Sequence, residues 1–265
     1  MVRRGEGGRM WQVGLLCVSA FVAGCVDAVA GGGGLIQLPV LFIVLPEAPV
    51  VTLLAVNKCA AASGTLVATV RYAGAVEVAW GAALTAAGVA AVASFLGART
   101  VSVIDPAVLR PVMAVLLVAT AFYTYLHKEY GVYHRPRLRP TGRIIVGSLA
   151  GFVIGFYDGF FGPGTGTYLM LLFVILFGFD FLHAAAATKV VNLTTNVAAL
   201  AFFVGQGQVA WEWALPMAAA NVAGGLVGAQ VAVLRGSGFI RRAGLVMAIA
   251  VIVRFVYDIV SSWVR

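Results

Sequence analysis

The sequence is short of charge. Only 11% of its 265 residues are Asp, Glu, Lys or Arg, against about 25% in ordinary soluble domains. It has three histidines and three cysteines. No spacing of His, Cys, Asp or Glu suits a metal, and no Ser–His–Asp arrangement can be argued from spacing. A disordered chain would be polar and highly charged, so disorder is excluded. No cofactor is expected. A membrane-embedded enzyme would need a nucleophile or metal set that these shortages make hard to assemble. What is abundant is apolar: 62% hydrophobic residues, 32 glycines and a mean hydropathy of +0.99. A soluble domain of this length cannot hide that much apolar surface, so the chain is expected in a bilayer. A membrane β-barrel would alternate in short segments. Here the apolar runs are continuous and rich in Ala, Val and Leu, as in helices.

The balance of 18 Lys+Arg against 10 Asp+Glu would suggest nucleic acid in a soluble protein. In a membrane chain, basic loops orient the helices and touch anionic lipid, so the lipid bilayer is the expected partner and nucleic acid is not. Cys17, Cys25 and Cys59 lie in apolar runs and read as small core residues. Arg3, Arg4 and Arg9 precede the first apolar run, which imitates a signal peptide. The run continues into a glycine motif that recurs later, so it reads as a mature helix.

The expected fold is an all-α polytopic membrane protein with two homologous repeats. The first repeat, 1–126, carries helices at about 11–30, 35–45, 50–70, 76–97 and 107–126. A basic linker, 127–143, joins it to the second, 144–265, with helices at about 144–161, 167–177, 183–204, 209–234 and 239–263. Eight of these are long enough to span. Segments 35–45 and 167–177 have only eleven residues. At 1.5 Å per residue they cover roughly 16 Å, half the hydrocarbon thickness. Each reads as a half-helix or the arm of a re-entrant hairpin. The linker holds Lys128, Arg135, Arg137, Arg139 and Arg143 with Pro136 and Pro140. By the positive-inside rule it is cytoplasmic, and the turn Arg235–Arg242 shares that side.

The repeats are related by one ungapped offset of 131. Phe21, Val22, Gly24 and Asp27 become Phe152, Val153, Gly155 and Asp158; Gly31 and Gly33 become Gly162 and Gly164. Lys58, Gly74 and Trp80 become Lys189, Gly205 and Trp211. Matches of Ala, Val or Leu mean little in this composition, whereas Asp, Lys and Trp are scarce. Internal duplication is a habit of secondary transporters. If the short segments count as crossings, each repeat has five and the repeats are inverted. Both termini then lie outside, which sets Arg3, Arg4 and Arg9 against the orientation rule.

Three constellations carry chemistry. The first is a pair of glycine turns before the half-helices: Gly31, Gly32, Gly33 and Gly34, and Gly162, Gly164, Thr165 and Gly166. Such turns expose backbone N–H groups at the positive end of a helix, which suits an anion; their bland reading is close helix packing. The second is Lys58 and Lys189, each well inside a long apolar run. A charge at the bilayer centre costs about 2.5–3.5 kcal/mol or more. They read as cationic ligands for an anion or as ion-pair partners of the aspartates. Asn57, Thr188 and Asn192 lie on the same helices as hydrogen-bond donors. The third is Asp27 and Asp158, as proton relay or lysine counter-ions.

Asp27-Ala-Val-Ala-Gly-Gly-Gly-Gly34 with Pro39 and Ala55-Val-Asn57-Lys58, and in the second half Gly155, Gly159, Gly162-Pro-Gly-Thr-Gly-Thr167 and Ala187-Thr-Lys189-Val-Val-Asn192, resemble the sulfite exporter TauE/SafE family over roughly residues 12–262. The resemblance implies a permease in the cytoplasmic membrane for a small sulfur-containing oxyanion such as sulfite, a sulfonate or a related organosulfur anion; alternating access around one central anion site is the mechanism expected of the duplicated architecture. It implies a site made by the two glycine turns with Lys58, Lys189, Asn57, Thr188 and Asn192. The first turn has no Ser or Thr where the second has Thr165 and Thr167, a departure from strict symmetry. A passive anion pore and a non-catalytic scaffold are the rival readings. A homodimer is left open.

Overall fold

The computed structural model describes residues 3–105, 107–109, 111–113, 115–116 and 140–263. Most of the expected helix 107–126 and of the linker 127–143 lies outside the described residues. All regular structure among the described residues is helical. The helices are α1 (Arg3–Ala30), α2 (Gly34–Val44), α3 (Val50–Ala73), α4 (Trp80–Ser102), α5 (Pro140–Phe160), α6 (Thr165–Ile175), α7 (Phe181–Gly205) and α8 (Trp211–Trp263). Among the described residues, five stretches are long and apolar enough to cross a bilayer: Arg9–Ala30, Val50–Ala73, Trp80–Ser102, Phe181–Gly205 and Trp211–Ile240. Residues 144–161 were expected to be a further span. The apolar part of α5, Ile145–Phe160, is shorter than these five. The outside of the bundle stays apolar: Val70, Val92, Leu149 and Leu234 are each more than 60% exposed. In water that surface would be a liability; in lipid it is the solvated face.

Local chemistry sets the ends. The Val76 N–H donates to the Tyr72 carbonyl at 2.9 Å and closes α3, so α4 starts at Trp80 rather than at residue 76. It runs on to Ser102 with Arg99 in its last turn, where a cation suits the helix dipole. Helix α7 starts two residues before the expected 183. The Asp180 carboxylate accepts from the N–H groups of Leu182 at 2.8 Å and His183 at 3.0 Å, an N-cap. The expected helices 209–234 and 239–263 follow each other with a break only at Gly236, where φ is 70°; there a side chain would be strained.

The long helices pack through small residues. Gly24 meets the backbone of Asn221 and Gly225, Gly224 meets Phe21, and Gly228 meets Cys25, so α1 lies along α8. Gly151 meets Ala86, Gly155 meets Ala90 and Gly159 meets Ser94, so α5 lies along α4. Numbers rise together within each pair, so the partners run in the same direction. Glycine faces let the backbones approach, which is how helices associate where lipid removes the usual hydrophobic drive.

The short helices α2 and α6 have 11 residues each. Gln12 Nε2 donates to the Val44 carbonyl at 3.2 Å, so α2 returns toward the end where α1 begins. The starts of α2 and α6 (34 and 165), of α3 and α7 (50 and 181) and of α4 and α8 (80 and 211) all stand 131 positions apart, the spacing of the sequence matches.

Candidate functional site

The glycine turns end α1 and α5 and begin α2 and α6, and they cross one another. Gly31 has φ +76° and stands against the backbone of Gly166, with no room for a β-carbon on either residue. Gly34 faces Pro163. The Thr167 N–H donates to the Gly31 carbonyl at 3.2 Å, and Thr167 Oγ1 donates to the Ala30 carbonyl at 2.9 Å. The starts of two half-length helices are thereby brought together in the interior.

Inside each turn the glycines have distinct positions. Gly164 has φ +81° and caps α6, whereas Gly33 caps α2 in a right-handed conformation. The Gly32 carbonyl accepts from Leu35 N–H and that of Gly162 from Thr165 N–H. Thr165 Oγ1 also donates to the Gly162 carbonyl at 2.6 Å, and the Tyr157 hydroxyl donates to the Pro163 carbonyl at 2.8 Å. The second turn is therefore braced by side chains.

The lysines reach this crossing from α3 and α7, and each pairs with an aspartate of the other half. Lys58 Nζ lies 2.8 Å from Asp158 Oδ2, with both side chains 2% exposed. It also donates to Asn196 Oδ1 at 3.0 Å. Lys189 Nζ lies 2.7 Å from Asp27 Oδ2, the lysine fully buried and the aspartate 18% exposed. It also donates to the main-chain carbonyl of Asp27. A β-carbon on Gly162 would come within 2.9 Å of Lys58 Nζ, so glycine there makes room for the ammonium group. Two like charges are thus held inside the bundle, each neutralised by a carboxylate; a buried charge persists when it is paired and hydrogen-bonded.

Of the polar residues singled out from the sequence, Asn192 accepts from Asn196 Nδ2 at 3.3 Å. Asn57 and Thr188 are 4% and 0% exposed, and neither Asn57 Oδ1 nor Thr188 Oγ1 has a hydrogen-bond partner. These two also stand 131 apart, one residue before each lysine. Buried polar atoms are normally bonded; the Thr188 hydroxyl can still donate, whereas Asn57 Oδ1 can only accept, so the two positions beside the lysines hold polar capacity of different kinds that the protein itself does not use. Thr65 was missed by the sequence reading. Its hydroxyl contacts Asp27 Oδ2 at 3.5 Å, and the offset of 131 that places it opposite Asn196 is the signal that could have found it.

The chain matches the family described as sulfite exporter TauE/SafE over residues 16–255. It is 36% identical over 244 residues to the probable membrane transporter protein ORF9 of a Sinorhizobium species, with 92% of each chain covered. It is 34% identical to a probable membrane transporter protein of Haemophilus influenzae, covering 92% of this chain and 94% of that one. It is 31% identical to the probable membrane transporter protein YfcA of Escherichia coli, covering 93% and 90%. No solved structure matches the chain. With five apolar spans among its described residues, the chain is a multi-pass protein of the cell membrane and belongs to the sulfite exporter TauE/SafE family of membrane transporters.

Proposed function

We propose that the protein carries a small sulfur-containing oxyanion, such as sulfite or a sulfonate, across the cytoplasmic membrane by alternating access around the crossing of the glycine turns. The observation that carries this reading is the pair of buried ammonium groups, Lys58 and Lys189, each balanced by a carboxylate from the opposite half. An arriving anion competes with Asp27 and Asp158 for the lysines. The oxygens of an oxyanion accept from Nζ, from the Thr188 hydroxyl, and from the amides of Asn57 and Asn192. The starts of α2 and α6 add the positive ends of two helices. The released carboxylate takes up a proton or remains charged as the substrate's charge leaves, which gives Asp27 and Asp158 their role in coupling.

The two halves act as inverted repeats. Support comes from the sequence offset and the matching helix starts. It comes also from the reciprocal packing, with α1 along α8 and α5 along α4. The return of α2 toward Gln12 makes that short helix the second arm of a hairpin. With the Arg235–Arg242 turn cytoplasmic, Arg9 lies on the outer side. There it pairs with Glu212 at 2.7 Å and lies over the Trp213 ring, which offsets its conflict with the orientation rule.

The test is flux in proteoliposomes with labelled sulfite and sulfonates. A carrier gives saturable flux that falls strongly in Lys58→Ala and Lys189→Ala; a pore gives flux without saturation, and a scaffold gives none. An imposed pH gradient is expected to drive accumulation. Accumulation that ignores the gradient removes the proton from the mechanism.

A further inference from the structure

A second feature lies away from the lysines. Between α1, the first turn of α2 and the two arms of α8 runs a groove of about 660 Å³, within the range of about 300–1,000 Å³ that holds sizeable organic ligands. Its wall is apolar, with Cys25, Val29, Ile36, Val231 and Phe239, and its one charged residue is Arg242. Arg242 is exposed. Arg235, on the same turn, lies over the Phe239 ring at 5.2 Å. Gly236, with φ 70°, breaks the helix here, and Phe239 and Arg242 of the arm beyond it line the groove.

We infer that an anionic phospholipid of the cytoplasmic leaflet occupies this groove, its phosphate on Arg242 and one acyl chain along Val29, Ile36 and Val231. Three observations choose this occupant. The groove has a long apolar wall and a single cation, the charge pattern of a lipid with an anionic head. Guanidinium binds phosphate oxygens bidentately. The turn carrying Arg235, Arg241 and Arg242 faces the cytoplasm by the positive-inside rule, and that leaflet holds the anionic lipid. A peptide partner would need hydrogen-bonding groups along the wall, and the wall offers almost none. The groove also touches Ala30 and Ile36, which flank the turn Gly31–Gly34, so an acyl chain there packs on the outer wall of the crossing.

Native mass spectrometry of the purified full chain with phosphatidylglycerol or phosphatidylcholine of matched acyl chains tests the site. One phosphatidylglycerol per chain is expected to survive activation that strips phosphatidylcholine. Arg242→Gln is expected to weaken that preference about fivefold, the worth of one basic residue near a lipid surface. Equal retention of the two lipids, or a preference untouched by Arg242→Gln, overturns the proposal. Independently, maleimide labelling of Cys25 in Cys17→Ala/Cys59→Ala protein in nanodiscs is expected to slow as the phosphatidylglycerol fraction rises. Cys17 in Cys25→Ala protein serves as the control. Labelling that ignores the lipid, or protection that follows protein density instead, overturns the proposal, the latter in favour of a second copy of the chain.

Discussion

Lys58 and Asp158 are sealed, each 2% exposed, and Asn196 completes the ammonium's shell. Lys189 is equally buried, but its partner Asp27 keeps 18% of its side chain open and draws only a 3.5 Å contact from Thr65. The same residue types at the same sequence offset thus stand in two environments. Their glycine turns differ as well: the second is tied by Tyr157 and Thr165, whereas the first leans on the second through Thr167. For the proposed carrier, unlike halves are what one state of an alternating-access cycle would show, with one ion pair locked and the other within reach of one face. The difference is expected to show in how each half responds to damage.

The largest effect is expected at the sealed pair. Lys58→Ala leaves the Asp158 carboxylate buried without its partner, which costs about 3–5 kcal/mol in comparable buried pairs. Lys189→Ala should cost less, because Asp27 reaches the surface. Thermal unfolding in detergent compares them, and an equal loss would erase the distinction between the halves. The double variant Lys58→Met/Asp158→Leu is expected to recover most of the stability, since an apolar replacement of a buried pair is often neutral or better, while transport stays abolished.

Next come the turns. Gly31→Ala forces a side chain into φ +76° and against the Gly166 backbone, which cannot yield. Gly162→Ala, at φ +101°, adds backbone strain of about 1–3 kcal/mol and crowds the Lys58 ammonium and the Asp158 carbonyl, though less tightly than the Gly166 backbone crowds Gly31. Gly31→Ala should therefore be the more damaging in the same unfolding assay, and Gly205→Ala, with nothing near it, should be silent.

A smaller change in stability is expected at the unsatisfied oxygens. Thr188→Val removes a buried hydroxyl without a partner, so stability should hold or rise while flux falls. Unchanged flux would detach Thr188 from the site. The smallest effect on flux is expected at the Asp180 cap, which lies outside the candidate site. Burial alone would raise the Asp180 pKa; the bonds from the His183 backbone, Ser237 and the His183 ring outweigh it and hold the carboxyl below its ordinary value. A depressed folded pKa contributes stability above the unfolded value of about 3.9 that is lost as pH falls through the folded one. Asp180→Ala should lower stability at pH 7 by about 0.5–2 kcal/mol. A melting difference from wild type should then narrow as the pH falls below about 4.

Much of the architecture was legible because lipid imposes long apolar runs, and the expected short segments 35–45 and 167–177 correspond to the two 11-residue helices α2 and α6. The candidate residues were legible because Asp and Lys are rare here and recur at one offset. What the sequence could not give was the crossing. Lys58 could have bonded either aspartate, and only the fold brings its ammonium to Asp158 of the other half. Nor did it reveal that Gly31 and Gly166 touch, since a close backbone approach leaves no periodic signal. The start of α7 was missed because Asp180 was not weighed as a cap.

The central claim is that an anion displaces the carboxylates from the two lysines. Titrating purified protein with sulfite, thiosulfate and a sulfonate by calorimetry, alongside Lys58→Met/Asp158→Leu and Lys189→Met/Asp27→Leu, tests it most directly. Saturable binding to the wild type and none to either folded double variant is the expected result; binding of equal affinity to all three would contradict it.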